Sequence, residues 1–266
     1  MCRKAMGGWM SFQTIDVTYA DGILRLVLNR PEVMNALNST MRLEIAAAMG
    51  DLPQGTRCVV LTGAGERAFC SGQDLSDGTT GLDVGRILRD EYEPMVLAIQ
   101  NAPVPVIAAV NGVAAGAGAS IALAADVVIA RESAKFVQAF SRIGLIPDAG
   151  GTHIVPRLVG QARAMGMMLF SETVSATRAA EWGLIWEAVP DAEFEAVIEA
   201  RARHLAQGPT TAFLAIRDAL RASDGNDLPA QLAVEAQIQT RLAATRDFSE
   251  GVAAFLEKRA PQYCGS

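Results

Sequence analysis

A single acidic residue, Asp148, lies in an otherwise uncharged stretch of the chain, GLIPDAGGTHIVP. Asp is a preferred residue at a helix start, where its side chain accepts a backbone hydrogen bond, so the local sequence is compatible with a helix cap. A lone carboxylate can equally move a proton as a general base or acid. A helix start would lower its pKa, whereas an apolar pocket that included Phe140 would raise it. The sequence leaves both directions open.

A first glycine-rich loop, TGAGERAFCSGQDLS, follows the apolar run that ends at Leu61. Gly72 can adopt a positive φ, which would aim the backbone N–H of Gln73 at a ligand. The loop also matches the loose dinucleotide-binding pattern G-x-G-x-x-A, but that pattern needs a helix to begin inside it. The chain continues instead as FCSG, which favours an irregular turn.

A second glycine-rich loop, NGVAAGAGASIALA, lies between an apolar strand pattern and an apolar helix pattern. Free N–H groups and the positive end of the helix dipole would lie at this helix start, where they stabilise developing negative charge. The alternative is tight packing of small residues against a sheet. Because the two loops follow neighbouring strands, we predict that one N–H from each converges on a carbonyl oxygen and forms an oxyanion hole.

Alternating strand and helix patterns must position these loops. A hairpin is predicted at Asp21-Gly22, and the stretch STMRLEIAAAMGDL predicts a helix capped by Asn38 or Ser39. Buried strands are predicted for RCVVLTG and VPVIAAVNG, with a long helix between them over residues 82–101. This order indicates an α/β fold with parallel strand pairing.

The last sixty residues contain only helical patterns, each with an apolar stripe. Such a region either packs on a neighbouring subunit or covers its own core. We divide the chain into an N-terminal extension (1–9), a core (10–206) and a C-terminal helical oligomerisation region (207–266). Met10 would then be a plausible natural start.

Composition excludes several classes of protein. Half of the 266 residues are hydrophobic and the net charge is −6, which argues against nucleic acid as a partner. No apolar run reaches the length of a membrane span, and the first residues lack the apolar region of a signal peptide. The four cysteines have no metal-binding spacing and are expected to be reduced thiols in a cytoplasmic protein without a metal. They are Cys2, Cys58, Cys70 and Cys264.

Four motifs, taken together and in this order, resemble the crotonase (enoyl-CoA hydratase/isomerase) superfamily: LNRPEVMNALN, ERAFCSGQDL, VNGVAAGAGASIALAADVVIA and FSRIGLIPDAGGTHIVPRLVG. The resemblance implies a spiral of ββα turns with a C-terminal helical trimerisation region, and a homotrimer or a dimer of trimers. It also implies an acyl-CoA thioester as substrate, with CoA as part of that substrate and no separate cofactor. The enolate of the thioester would be held by the backbone N–H groups of Gln73 and Ala117.

Both glutamates that hydratases of this family use are replaced, by Ser120 and Phe140. Asp148 instead occupies the place where some isomerases of the family carry their single acid/base carboxylate. Wider stretches are similar to the ring-epoxide isomerases of phenylacetate catabolism. The resemblance therefore implies conversion of ring-1,2-epoxyphenylacetyl-CoA to oxepin-CoA, with cis-3 to trans-2 enoyl-CoA isomerisation as a further activity and other enzymes of that pathway as partners.

Several further residues fall in segments that hold the substrate in relatives. By this resemblance the expected substrate- or CoA-binding residues are Arg30, Ala36, Ala68, Cys70, Asp74, Tyr92, Gly116 and Phe140. For Arg30 the alternative is a structural salt bridge, and for Tyr92 it is a packing role. Cys70 could be a nucleophile only with His153 as its base, and we expect a small packed residue instead. Trp182 and Trp186 are expected to pack inside the protein.

Two other functions compete with isomerisation. The same fold could hydrate or hydrolyse an acyl-CoA, with Asp148 steering a water molecule. Some relatives bind RNA, but the acidic composition and the absence of a basic stripe argue against that alternative here.

Overall fold

The structure is a computed structural model that describes residues 11–76 and 83–266. The proposed extension 1–9, Cys2 and the predicted start of the long helix at Leu82 lie outside these residues. In chain order the strands of the described residues are β1 (Ile15–Ala20), β2 (Ile23–Leu28), β3 (Cys58–Gly63), β4 (Ala68–Cys70), β5 (Val106–Val110), β6 (Val113–Ala115), β7 (Val127–Arg131), β8 (Lys135–Val137), β9 (Val174–Ser175) and β10 (Glu187–Val189).

The larger of two sheets has the strand order β1-β2-β3-β5-β7-β10. Strands β1 and β2 are antiparallel and are joined by Asp21 and Gly22, whose φ values of 51° and 78° form the tight hairpin turn that the sequence predicts. Every other pairing in this sheet is parallel. The predicted α/β fold with parallel pairing is therefore confirmed.

The smaller sheet has the order β4-β6-β8-β9. From β3 to β8, its strands alternate along the chain with strands of the larger sheet. Its strands β4, β6 and β8 come directly after β3, β5 and β7, and they pair in parallel. Each of the pairs β3–β4, β5–β6 and β7–β8 thus places one strand in each sheet. This repeat is the predicted spiral of ββα turns.

Helices lie in the predicted segments, and two more lie between residues 176 and 207, where none is predicted. They are α1 (Ser39–Gly50), α2 (Val84–Ile87), α3 (Glu93–Gln100), α4 (Ala117–Leu123), α5 (Gly151–Phe170), α6 (Ala176–Glu181), α7 (Phe194–Gln207), α8 (Thr210–Ser223), α9 (Leu228–Leu242) and α10 (Arg246–Glu257). Asn38 caps α1, since its side chain accepts a hydrogen bond from the Met41 N–H at 2.9 Å. A π-helical turn, Leu88–Tyr92, joins α2 to α3, so the predicted long helix contains one wide turn.

Apolar side chains cover both faces of the larger sheet. On β3, Val59 and Leu61 belong to the main core, whereas Val60 belongs to a second cluster against α7. Phe194 and Ile198 of α7 complete this second cluster. Burial on both faces explains why β3 has a continuous apolar sequence instead of an alternating one.

The C-terminal helices leave much of their apolar surface exposed in the single chain. Leu220, Phe255 and Leu256 are 67%, 83% and 74% exposed. The helical character of this region is confirmed, whereas trimerisation stays a prediction. Trp186 is 69% exposed, so its predicted packing role is wrong, while Trp182 is partly buried beneath the guanidinium of Arg178. Across residues 11–76 and 83–266, no helix combines the length and the apolar character that a membrane crossing requires.

Candidate active site

The two glycine-rich loops meet at Gly72. Its φ is +94°, as the sequence predicts, and a Cβ added there would lie 2.8 Å from the carbonyl oxygen of Ala115 and 3.5 Å from the nitrogen of Ala117. A side chain at this position would therefore collide with the second loop. Glycine is required both by the backbone angle and by the close approach of the two loops.

Gln73 and Ala117 both have backbone N–H groups without a protein acceptor among the described residues. The Leu37 N–H donates to the Gly72 oxygen at 2.7 Å, and the Asp74 N–H donates to the Leu37 oxygen at 3.0 Å, so the backbone is fixed on both sides of Gln73. Within 11–76 and 83–266, neither the Gln73 N–H nor the Ala117 N–H donates to a protein acceptor. Two adjacent, unpaired donors are the arrangement that an oxyanion hole requires.

Small residues in the second loop also serve packing. Gly116 has φ +51° and precedes α4, whose residues are all buried. A Cβ on Gly118 would lie 2.3 Å from the Cys70 oxygen, so α4 lies directly against β4. The ring of Phe140 packs against Gly116, 3.7 Å from the position that a Cβ would occupy. The packing alternative therefore holds for this loop, and the donor role of Ala117 stays a prediction.

Asp148 does not cap a helix. Helix α5 begins at Gly151 with Gly150 as its N-cap, and no side chain caps it. The cap interpretation is therefore wrong, because the chain needs the left-handed turn of Gly150 (φ +83°) before the helix starts. The Oδ1 atom of Asp148 is buried and has no hydrogen-bond partner within the described part of the chain.

Burial controls the protonation of Asp148. Loss of solvent raises the pKa of its carboxyl to about 6, against the opposing effects of the Arg42 guanidinium and its own backbone N–H. The sequence alone left the direction of the pKa shift open, and the structure shows that the pKa of Asp148 is raised. A carboxylate with a pKa near 6 is mostly ionised at neutral pH and still basic enough to take a proton.

Asp148 lies on an apolar cavity of about 550 Å³. The carboxyl group and the aromatic ring of Tyr92 share it with the exposed imidazole of His153 and the exposed carboxylate of Glu93. The remaining lining residues are Val84, Leu88, Val96, Leu97, Gln100, Leu145, Ile146, Pro147, Ala149, Gly150 and Ile154. Phe140 is not among these lining residues, and its contact with the substrate stays a prediction.

Tyr92 connects the cavity to the first glycine-rich loop. Its O–H donates to Oε1 of Gln73 at 2.6 Å. Burial raises the pKa of Tyr92, and the negative charge of Asp148 raises it further. Tyr92 thus contacts the side chain of Gln73 with its hydroxyl and lines the cavity together with Asp148, whereas Gln73 and Ala117 are not among the residues that line the cavity.

Three of the eight expected substrate- or CoA-binding residues, Arg30, Ala36 and Asp74, are joined by polar contacts next to Gln73. Nη1 of Arg30 lies 2.8 Å from Oδ2 of Asp74 and 2.7 Å from the Ala36 oxygen, so the salt-bridge alternative for Arg30 is present. Hydrogen bonds from Ser76 and then from Arg30 lower the pKa of Asp74. The side chains of Ala36 and Ala68 are buried, so only their backbones could contact CoA.

Cys70 is an inert thiol. It is fully buried, and burial raises its pKa to about 12. A catalytic thiol must ionise readily, so the nucleophile alternative is disfavoured and the packed-residue interpretation is supported. Cys58, Cys70 and Cys264 are all free, and only Cys264 is exposed.

Sequence reasoning missed two buried polar residues near the loops. The amide of Asn35 donates to the oxygens of Ala64 and Ala68, both at 3.0 Å, from a left-handed backbone conformation with φ 55°. Arg42 is buried next to Gln73. The sequence does indicate that Arg42 is buried, because it lies three residues before Ile45 on the apolar face of α1.

Several known proteins are similar to this chain over most of its length. The family model "Enoyl-CoA hydratase/isomerase" matches residues 18–266. A Rhodobacter capsulatus protein named "Probable enoyl-CoA hydratase" is 58% identical over 96% of this chain and 100% of its own. The 1,2-epoxyphenylacetyl-CoA isomerase of Escherichia coli is 46% identical over 92% of this chain and 95% of its own. The crystal structure of enoyl-CoA hydratase from Bacillus anthracis superposes with a TM-score of 0.89, at 34% identity, over 96% of this chain and 100% of that chain.

The chain therefore belongs to the enoyl-CoA hydratase/isomerase, or crotonase, family. It is an acyl-CoA enzyme of that family.

Proposed function

We propose that the protein is an acyl-CoA isomerase in which Asp148 is the single acid/base group. Its carboxylate takes a proton from the carbon next to the thioester carbonyl, and the electron pair of that C–H bond moves onto the thioester as an enolate. The N–H groups of Gln73 and Ala117 hold the enolate oxygen. When the enolate collapses, its electron pair either forms a C=C bond while an epoxide C–O bond breaks and leaves its electrons on oxygen, or takes the proton back from Asp148 at another carbon.

The observation that carries this proposal is the Asp148 carboxyl itself. It is buried on an apolar cavity, one oxygen has no partner in the described residues, and its pKa is raised to about 6. Carboxyl groups in such surroundings are typical catalytic bases. Ser120, which replaces one hydratase glutamate, is fully buried, and its hydroxyl lies 3.4 Å from the Gly116 oxygen. Neither Ser120 nor Phe140 can provide a second carboxylate.

We infer that the substrate is ring-1,2-epoxyphenylacetyl-CoA and the product oxepin-CoA, with cis-3 to trans-2 enoyl-CoA isomerisation as a second activity. The name of the E. coli relative supports this substrate. A cavity of about 550 Å³ with mostly apolar walls suits an aromatic acyl group. CoA enters as part of the substrate, and the residues proposed to lie along it include Arg30, Ala36, Asp74 and Gly116.

Hydration is the second candidate function, because the R. capsulatus relative is named as an enoyl-CoA hydratase. In that case Asp148 and one further carboxylate would place and activate water. Glu93 is the other carboxylate that lines the cavity in the described part of the chain, and it is exposed. Hydrolysis of the thioester, with Asp148 steering the water, belongs to the same alternative.

The exposed apolar stripe of the C-terminal helices supports assembly into a homotrimer or a dimer of trimers. We further propose that the enzyme works in the cytoplasm beside other enzymes of phenylacetate catabolism. No nucleic acid partner is proposed.

A mass-resolved assay tests the function directly. Purified protein is incubated with phenylacetyl-CoA ring epoxide and, separately, with a cis-3-enoyl-CoA. Products of unchanged mass are expected, and Asp148→Asn should reduce their formation by about 10²–10⁴-fold. Glu93→Gln is the matched control and should retain most of the activity. A product heavier by one water, lost equally in both variants, would establish hydration by two carboxylates instead.

A further inference from the structure

Arg42 forms an unusually complete network for a buried cation. Its side chain is 2% exposed, and Nη1 donates to both the Leu37 oxygen and Oε1 of Gln73, each at 2.8 Å. Nε and Nη2 donate to Oε2 of Glu91 at 2.9 and 2.7 Å. The guanidinium therefore links α1, the π-helical turn and the first glycine-rich loop.

The network converges on the side chain of Gln73. Oε1 accepts hydrogen bonds from Arg42 and from the Tyr92 hydroxyl, while Nε2 donates to the Asp74 oxygen at 3.1 Å. The guanidinium carbon of Arg42 also lies 4.9 Å from the centroid of the Tyr92 ring. Gln73 is thus held by its side chain as well as by the backbone bonds of its two neighbours.

Stability alone does not explain this arrangement. Burying an ion pair costs desolvation energy, and well-packed apolar residues of similar volume are often at least as stabilising. Gln73 supplies one of the two N–H groups proposed to bind the enolate oxygen, and a small displacement of such a donor has a large effect on rate. Residues that fix the position of the Gln73 N–H therefore affect the rate of the proposed reaction.

We infer that Arg42, anchored by Glu91, is a positioning residue that acts through the Gln73 side chain to hold the Gln73 N–H toward the thioester oxygen. This inference rests on the proposed enolate chemistry and names the residues that support it. Arg42 does not contact the reacting atoms. It fixes the donor that does.

Two variants break the hydrogen bond between Arg42 and the Gln73 side chain, one by changing the donor and the other by changing the acceptor. Arg42→Lys keeps the charge but cannot reproduce the several directed bonds of the guanidinium. Gln73→Leu removes the side-chain acceptor and leaves the backbone N–H in place. Arg217→Lys is the matched control, because the Arg217 side chain is only 9% exposed, is paired with Asp126, and donates to carbonyl oxygens that lie outside the two loops.

The first measurement uses a 3-oxoacyl-CoA, whose enolate has its own near-ultraviolet absorption. The bound fraction present as enolate reports the N–H donors without requiring turnover. The second measurement is exchange of the α-proton of phenylacetyl-CoA with deuterated solvent. We expect Arg42→Lys and Gln73→Leu each to weaken the enolate band and to lower kcat for exchange by about 10–100-fold, with KM changed far less. The double variant should be no worse than the poorer single one, and Arg217→Lys should leave the band unchanged.

The outcomes distinguish a failure of the proposed enolate chemistry from a failure of the positioning role alone. A wild-type protein that binds the thioester without an enolate band would remove the proposed enolate chemistry, and this inference with it. A normal wild-type band that persists in Gln73→Leu would overturn the positioning role alone, as would additive losses in the double variant. Should Arg42→Lys fail to fold, Gln73→Leu decides by itself, since its side chain is only partly buried.

Discussion

Replacing Asp148 with asparagine should make the protein less active and, at neutral pH, more stable. The carboxyl is buried on an apolar cavity, so the folded protein favours its neutral form, and its pKa rises from the ordinary 3.8 to about 6. Asparagine has nearly the same shape and carries no charge. The variant therefore removes the cost of burying an ion together with the proton acceptor.

The size of the gain depends on pH. The difference between 3.8 and about 6, at 1.36 kcal/mol per pH unit, amounts to about 3 kcal/mol at pH 7. The folded state of the wild type binds the proton more tightly than the unfolded state. Its stability therefore rises as the pH falls through 6 toward 4, and the advantage of asparagine shrinks to about half at pH 5 and to less than about 1 kcal/mol at pH 4.

Urea unfolding at pH 7, 5 and 4 measures this trend, with both proteins at one protomer concentration because assembly also affects stability. Asp51→Asn, at an exposed position after α1, is the control and should show little change at any of these pH values. An asparagine variant that is less stable than the wild type at pH 7, or whose gain is the same at pH 4 and 7, would refute the reasoning that burial raises the pKa of Asp148.

Four further results are expected. The kcat/KM of the wild type should fall about tenfold per pH unit below about pH 6 as Asp148 gains its proton, and a flat profile from pH 5 to 8 would contradict that role. Gly72→Ala should lower kcat by about 10²-fold, because the added Cβ collides with the second loop; unchanged steady-state kinetics would remove that loop from the site. Alkylation of the folded protein at pH 8, followed by peptide mass spectrometry, should label Cys264 and spare Cys70, and early labelling of Cys70 would show that its thiol is accessible and ionised. Phe255→Glu should shift sedimentation toward the monomer if the exposed stripe is the subunit interface, and an unchanged oligomer would place that interface elsewhere.

Local chemistry made much of the fold predictable. The hairpin followed from Asp21-Gly22 because a tight turn requires positive φ at adjacent positions, and few residue pairs accept it. The positive φ of Gly72 could be expected for a similar reason. The α1 helix and the buried strand β3 followed from capping residues and apolar periodicity, which depend on neighbours within a few positions.

Features that depend on distant contacts were not predictable in the same way. The local sequence predicts a helix cap at Asp148, because composition does not locate the start of the helix. The turn at Gly150 displaces that start to Gly151. The network of Arg42 joins residues 31 and 49 positions away along the chain. Only the folded arrangement of α1 against the π-helical turn brings these side chains together.

The π-helical turn, Leu88–Tyr92, has a consequence for how this enzyme can diversify. A wide turn holds one residue more than a regular helical turn, so it offsets the rotation of the residues before it from that of the residues after it. Deleting one residue there would turn Val84 and its neighbours by about 100° around the helix axis while Tyr92 kept its place on Gln73. A single-codon change therefore reshapes the wall of the cavity and leaves the contact between Tyr92 and the first glycine-rich loop as it is.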